Sequence, residues 1–338
     1  MNCYFTYDYE LFLGAKTGTP EGCLVEPMRA ITCMFDKYGV KANIFVDAAY
    51  LLRMRELMGG ISQLKKDYVL VTNHIKELSG KGHSIQLHFH PQWVQANYED
   101  DVWRLDNEHY KLSDYSFEEQ KRFLTEAIEL LQSLAVNRIV AFRAGGFSIE
   151  NMPDLVPFFQ EKGIKIDTSV LRGGYVDSKF QTYDYRNIPA LTSYHFSQSH
   201  KIKDVNGVFV EYPISVMVVN SLYYLYLKNV KRRNREKQLG GYSAKKWNDG
   251  VGIGASVDAK SRIKNNIKRL FANSPLYASA DGTLVYFLPE VYKYCKRKYE
   301  GDDFVIIGHP KIATPRSVAS LEAFIRNHTS EIEFKTFS

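Results

Sequence analysis

The sequence predicts an α/β fold, a parallel sheet with helices outside it on a barrel scaffold. Two observations predict this. The first half of the chain alternates helical patterns, Gly-containing turns and short apolar runs. Strands that alternate with helices form parallel sheets flanked by helices. Polar residues then fall at one kind of place: Asp8, Asp47, His88, Arg143, Asp167 and His309 each sit at or just past the C-terminal end of a strand candidate. Barrels and open α/β sheets build their sites there. A solvated strand end also attracts polar residues, so the weight lies in the set of six.

The elements follow in order. Cys3–Tyr7 is rich in β formers and opens the series. Glu26–Tyr38 carries Pro27 near its start and Met28, Ile31, Met34 and Phe35 at helical spacing, and Gly39 ends it. Ala42–Val46 reads as a buried strand. Ile75–Leu78 closes a helix at Gly80, and Ser84–Phe89 is the next strand. Ser116 and Glu119 form a capping-box pattern ahead of Phe123, Leu124, Ala127, Ile128, Leu131 and Leu134, an amphipathic helix. Arg138–Phe142 follows as a strand. Pro157–Lys162 with Gly163 ends a helix, and Ile164–Ile166 is a strand. From about Arg172 to Glu300 the rhythm breaks into Tyr-rich runs, a basic run and the Gly-rich GVGIGAS. Regular pattern resumes with Phe304–Ile307, His309 and a helix from Ser317 to Ile325. The expectation is one domain over residues 1–338 with an excursion at about 172–300.

Bulk composition narrows the class. The chain has 338 residues, 45% apolar and 24% charged, which suits a globular protein with a large core. Its 23 Tyr and 20 Phe either pack the sheet or line a surface that touches sugars. Cys3, Cys23, Cys33 and Cys295 form no CxxC pair, so neither a disulfide framework nor a zinc–cysteine site is implied. MNCYFTYDYE lacks a basic start and an apolar core, and ISVMVVNSLYYLYL falls short of the roughly 18–20 residues of a membrane span. A cytoplasmic location is the resulting expectation. The net charge of +6 favours anionic partners weakly. The run Lys228, Lys231, Arg232, Arg233, Arg235, Lys237 reads first as a solvated face and lacks a nucleic-acid motif. Tyr223, Tyr224 and Tyr226 beside it are a candidate contact for a membrane surface.

The segment GHSIQLHFHPQW carries most of the chemistry. His88 and His90 are two apart at a strand end and project to one side. Two imidazoles aimed at one point suit a divalent metal; a hydrogen-bonded loop pair is the competing reading. Asp8 and Glu10 in FTYDYELF are paired in the same way. One can ligate a metal while the other takes a proton. Arg143 in AFRAGGFS can orient carboxylates or bind an oxyanion, with glycines that admit close approach. His309 in FVIIGHPK can act as a general acid. GVGIGAS lacks the GK[ST] of a P-loop and is discounted.

The order FTYDYE, KANIFVDA, GHSIQLHFH, FRAGGFS, IDTSV, IIGHPK resembles the polysaccharide deacetylases of the NodB-homology type, carbohydrate esterase family 4. The similarity spans residues 1–170 and 304–325. It implies a distorted (β/α) barrel, a divalent metal, usually zinc, and removal of acetyl groups from N-acetylated sugars. By resemblance Asp8 matches the catalytic base, His88 the first metal histidine, and Arg143 the arginine that braces the base. Asp167 matches the aspartate that tunes the acid histidine, and His309 that histidine. The family's second aspartate is replaced by Tyr9, with Glu10 nearest, so Asp8 and Glu10 could exchange roles. Its second histidine falls at Gln92, and His90 is the substitute. The pattern resembles a divergent subgroup of surface-polysaccharide gene clusters, with DxE and HxHP motifs.

The resemblance implies a metal-dependent deacetylase acting on an acetamido sugar, free, nucleotide-linked, lipid-linked or polymeric. Two other readings stand beside it: an amidohydrolase or esterase with another substrate, since an HxH pair on a strand suits those also, and a non-catalytic glycan or anion binder in which Tyr9 and Gln92 mark a decayed site.

Overall fold

The computed structural model describes residues 1–178, 180–220, 223, 226, 236–241 and 274–338. Lys228, Lys231, Arg232, Arg233, Arg235, Tyr224 and GVGIGAS lie outside these residues. The frame is a parallel sheet wrapped by helices. Its strands are β1 (Asn2–Tyr9), β2 (Asn43–Asp47), β3 (Ser84–Phe89), β6 (Ala141–Ala144), β7 (Ile166–Asp167), β11 (Phe209–Glu211) and β14 (Asp303–Gly308). A short hairpin, β4 (Asn97–Glu99) and β5 (Val102–Arg104), and a ribbon, β8 (Tyr175–Asp177) and β9 (Thr182–Asp184), stand apart from it. Among the described residues the sheet runs β11, β7, β6, β3, β2, β1, β14, all parallel. The strand β10 (Tyr194–Phe196) extends it antiparallel at the β11 edge, and β15 (Glu333–Phe334) pairs with β1.

The two ends of the sheet are joined through the irregular stretch. Ile214 N donates to Val170 O, Ser215 N to Val305 O, and Ala278 N to Ser215 O. Ile307 N then donates to Ala278 O, and Ala280 N to Ile307 O. Two of these segments flank a ribbon of β12 (Val216–Val219) and β13 (Ser274–Tyr277). The result is a distorted barrel whose last wall is made of single bridges in place of full strands. Parts of the 172–300 stretch therefore belong to the barrel wall.

Burial explains the sequence pattern. Strands β2, β3 and β6 are buried at every position, as parallel strands covered on both faces must be. Outside them pack α1 (Glu26–Asp36), α2 (Ala48–Leu57), α3 (Ser62–Gly80), α4 (Phe117–Leu134), α5 (Met152–Glu161), α6 (Leu288–Lys298) and α7 (Pro315–His328). The α1 stripe of Met28, Ile31, Met34 and Phe35 is buried, and Gly39 takes φ +64° where the helix must reverse. The predicted capping box of α4 is present: Ser116 Oγ accepts from Glu119 N, and Ser116 N donates to Glu119 Oε2 at 3.0 Å. Many tyrosines pack the interior, Tyr4, Tyr7 and Tyr9 of β1 among them.

Two strand starts move by more than one residue. The strand expected at Ile164–Ile166 begins at Ile166, and the one expected at Arg138–Phe142 begins at Ala141. Side chains replace the neighbouring ladder before that point. Gln86 Oε1 accepts from Val140 N and Ala141 N, and Gln132 Oε1 accepts from Ile139 N. No described helix is long and apolar enough to cross a membrane.

Candidate active site

Strand alternation decides which β1 side chains share the site. Residues two apart on a strand point to one face. Asp8 and Glu10 therefore face the barrel mouth together. Tyr9 lies on the other face, where its hydroxyl meets His74 Nδ1 of α3 at 2.7 Å. Tyr9 is thus part of the helix–sheet packing and does not stand in for a ligand. His88 and His90 share a face for the same reason, with rings 4.7 Å apart and perpendicular. Parallel register sets His88 beside Asp47 on one side and Arg143 on the other.

Glu10, His88 and His90 converge. Their ligand atoms lie within 4.8 Å of one another, and all three residues are buried. Glu10 Oε2 is 3.0 Å from His88 Nε2 and 2.5 Å from His90 Nε2. His88 Nδ1 faces the Arg143 carbonyl at 2.8 Å. With Nδ1–H donating there, Nε2 is the nitrogen turned to Glu10. That is the orientation a metal-ligating histidine takes, fixed by a partner on its other nitrogen. A tetrahedral cation with bonds of about 2.1 Å keeps its ligand atoms roughly 3.4 Å apart, a spacing these donors can meet. One carboxylate and two imidazoles are a common divalent-metal set that leaves a position open for substrate. The residues fit the cation that the sequence resemblance implies. Gln92 is buried in the turn Pro91–Trp93 and is not in the donor cluster.

Asp8 occupies the neighbouring position with different company. Arg143 Nη1 donates to Asp8 Oδ1 at 2.6 Å. Arg143 itself is fully buried, held by Thr6 Oγ1, Thr168 O and Thr168 Oγ1, and stacked 4.4 Å over the Phe45 ring. Burial pushes the Asp8 carboxyl up, but the Arg143 guanidinium, with His88 and His309, brings it below its ordinary value. Asp8 Oδ2 looks into the site, 4.0 Å from His88 Nε2 and 3.6 Å from His309 Nε2. Burial likewise opposes ionisation of Glu10, yet Lys311 and His90 hold it well below the usual range.

His309 follows β14, and Asp281 fixes it twice. His309 N donates to Asp281 Oδ1 at 2.6 Å, and Nδ1 faces Asp281 Oδ2 at 2.7 Å. Burial alone would lower the imidazole pKa; Asp281, then Asp8 and Glu10, raise it. For His88 the same contest, with Asp8 and Glu10 opposing burial, leaves its pKa at about 9.

Asp167 is elsewhere. The expectation that it tunes His309 is not met, because Asp281 holds that imidazole. Asp167 instead pairs in register with Glu211 of β11 and accepts from Ser169 Oγ at 2.6 Å. No Asp167–His309 ion pair is present. Its neighbour Thr168 is what reaches the site, through Arg143. Asp47 accepts from His90 N at 3.2 Å and so positions that histidine's backbone. Burial pushes the Asp47 carboxyl up.

Three contributors escaped the sequence reading. Lys311 Nζ donates to Glu10 Oε1 at 2.6 Å and Leu11 O at 2.7 Å. Asp281 arrives from the irregular stretch; its one local sign is the turn dipeptide Asp281–Gly282. Thr6 carries no distinguishing signal inside an apolar strand.

No protein-family pattern matches the sequence, and no curated protein does. Among solved structures, the chain is similar to a protein assigned as a polysaccharide deacetylase from Mycobacterium smegmatis. The identity is 15%, the TM-score 0.48, and the match covers 100% of this chain and 93% of that one. It is also similar to the allantoinase Puue, at 12% identity and TM-score 0.48, covering 99% and 86%. A third is the polysaccharide deacetylase Bc1974 from Bacillus cereus, at 11% and 0.41, covering 100% and 92%. At such values the likeness does not choose an activity; the side-chain geometry has to.

Proposed function

We propose that this chain is a metal-dependent hydrolase that removes an N-acetyl group from an acetamido sugar, with a place in cell-surface polysaccharide biosynthesis. The observation that carries the hydrolase reading is the division of one cluster, buried but for a partly exposed His309, into three parts. Glu10, His88 and His90 form a cation-ligand set, Asp8 on Arg143 is a carboxylate kept ionised, and His309 on Asp281 is an imidazole kept able to hold a proton. The ordered motifs FTYDYE, GHSIQLHFH, FRAGGFS and IIGHPK support the acetamido sugar. Zinc is the cation favoured by two imidazoles and one carboxylate.

A divalent cation held by Glu10, His88 and His90 would supply Lewis acidity, polarising the amide carbonyl and lowering the pKa of water. The remaining chemistry belongs to the chain. Asp8 is the favoured base, because Oδ1 is fixed on Arg143 while Oδ2 faces the site. It accepts a proton as water attacks the acetyl carbon. Among the described residues Arg143 has no other carboxylate partner within 4.0 Å, so its charge is spent on holding Asp8 in place. His309 Nε2 lies on the same side, 3.6 Å from Asp8 Oδ2, and delivers a proton to the amide nitrogen as the C–N bond breaks. Asp281 keeps that imidazole oriented and supports its positive charge. The products are acetate and the free amino sugar. The cytoplasmic expectation would suit a nucleotide- or lipid-linked precursor.

The test is acetate release from N-acetylated sugars by the purified protein. Loss of release on chelation, its return with zinc, and its absence in His88→Ala are expected. Release that survives both chelation and His88→Ala would overturn the reading. Ring opening or ester hydrolysis without acetate release would move the protein to another class of metal hydrolase.

A further inference from the structure

Lys311 sits where a cation would have to be tolerated, and its contacts are specific. It follows His309 through Pro310, in a short turn after β14. Its side chain is 10% exposed. Nζ donates to Glu10 Oε1 at 2.6 Å and to Leu11 O at 2.7 Å, and lies 5.2 Å over the Phe12 ring. The Glu10 carboxylate is thereby divided. Oε1 is taken by the ammonium, while Oε2 faces both His88 Nε2 and His90 Nε2.

We infer that Lys311 is a positioning residue of the candidate metal centre: it restricts Glu10 to one ligand oxygen and cancels its charge, so that the site trades cation affinity for net positive charge on its occupant. This rests on the metal-hydrolase reading above. With Lys311 in place, the Glu10–Lys311 pair is neutral and the two imidazoles add nothing, so a bound divalent cation keeps its full charge. Without Lys311, Glu10 contributes a whole negative charge and a second free oxygen. Coulomb's law fixes the sign: an ammonium a few ångströms from a divalent cation repels it, and burial limits the screening of that repulsion. Removing the ammonium charge therefore strengthens binding of the cation and weakens its pull on substrate.

Zinc affinity measured by competition with a chromophoric chelator tests this on the full chain. Lys311→Gln keeps hydrogen-bond donors for Glu10 Oε1 and Leu11 O but removes the charge. Lys311→Arg keeps the charge. The expected result is zinc binding tighter by on the order of tenfold or more in Lys311→Gln. Affinity in Lys311→Arg stays within about threefold of the parent, while acetate release falls in Lys311→Gln. Circular dichroism establishes that each variant is folded; if Lys311→Gln does not fold, Lys311→Met is read in its place. Zinc affinity that is equal or weaker in the folded charge-removed variant overturns the inference and leaves the metal reading standing. Failure of the parent chain to bind zinc at all overturns the metal reading itself.

Discussion

Glu211→Gln should flatten the pH dependence of stability. Glu211 and Asp167 lie opposite each other on β11 and β7 and are both fully buried. Asp167 Oδ1 accepts from Ser169 Oγ, and Glu211 Oε1 accepts from Val170 N at 3.4 Å. Their other oxygens, Oδ2 and Oε2, have no other partner. Burial and then the neighbouring Asp167 push Glu211 well above the carboxylate range. Two adjacent buried carboxylates cannot both ionise, so the pair keeps one proton, and Glu211 is the better holder.

The sign follows from linkage. In the unfolded chain Glu211 loses its proton near pH 4.3. Above that pH the folded state binds one proton more than the unfolded state. The stability this proton contributes is complete at low pH and is lost as pH rises toward the folded-state pKa. One such proton corresponds to about 1.4 kcal/mol per pH unit. In Glu211→Gln the amide N–H replaces the shared proton as a donor to Asp167 Oδ2, and this slope disappears. Between the unfolded-state value and the folded-state pKa, the parent should lose stability relative to the variant as pH rises, by up to about 1.4 kcal/mol per pH unit. Urea unfolding of both proteins at pH 5, 6 and 7 gives the two slopes. Parallel lines would refute the shared proton.

Two further outcomes concern the site itself. In Asp281→Asn, His309 loses the carboxylate that raises its pKa, so kcat should fall by roughly 10–100-fold, the worth of a charge-assisted hydrogen bond. The alkaline limb of the kcat profile should move to lower pH, because the acid must be protonated to act; an unmoved limb would contradict the Asp281–His309 assignment. Gly145→Ala would place a Cβ 2.6 Å from both His90 Nδ1 and the Phe89 carbonyl oxygen, so that the imidazole facing Glu10, the backbone, or both must shift. The strain should cost about 1–3 kcal/mol of stability and weaken zinc binding roughly tenfold. Unchanged zinc affinity by chelator competition would show that His90 is not a ligand.

What the sequence disclosed depended on how each residue reaches the site. Residues delivered by long buried strands were legible. A strand covered on both faces reads as an apolar run, and a polar residue at its end stands out, as His88, Arg143 and His309 do. Helix α2 was not legible, because AAYLLRMREL follows Asp47 with no loop and begins on four residues that are all buried. Asp281 was hidden for a different reason. Its segment joins the barrel through the single bridge Ser279–Ile307, too short to leave a period in the sequence. The polar ladder of Gln86 displaced the start of β6, since a side chain that bonds backbone groups leaves no repeat to read.

The DxE spacing shows where local reasoning stops. Alternation along β1 is a local property, so Asp8 and Glu10 could be placed together and Tyr9 apart from the residues alone. Which carboxylate is suited to hold a cation is not a local property. Both are buried and both are held in the ionised form. They differ in company drawn from far along the chain: Arg143 for Asp8, and His88, His90 and Lys311 for Glu10. Exchanging those partners would exchange the roles without altering a residue of FTYDYE. A carboxylate pair at a strand end therefore identifies a site, and the distant cations and imidazoles around it decide the division of labour.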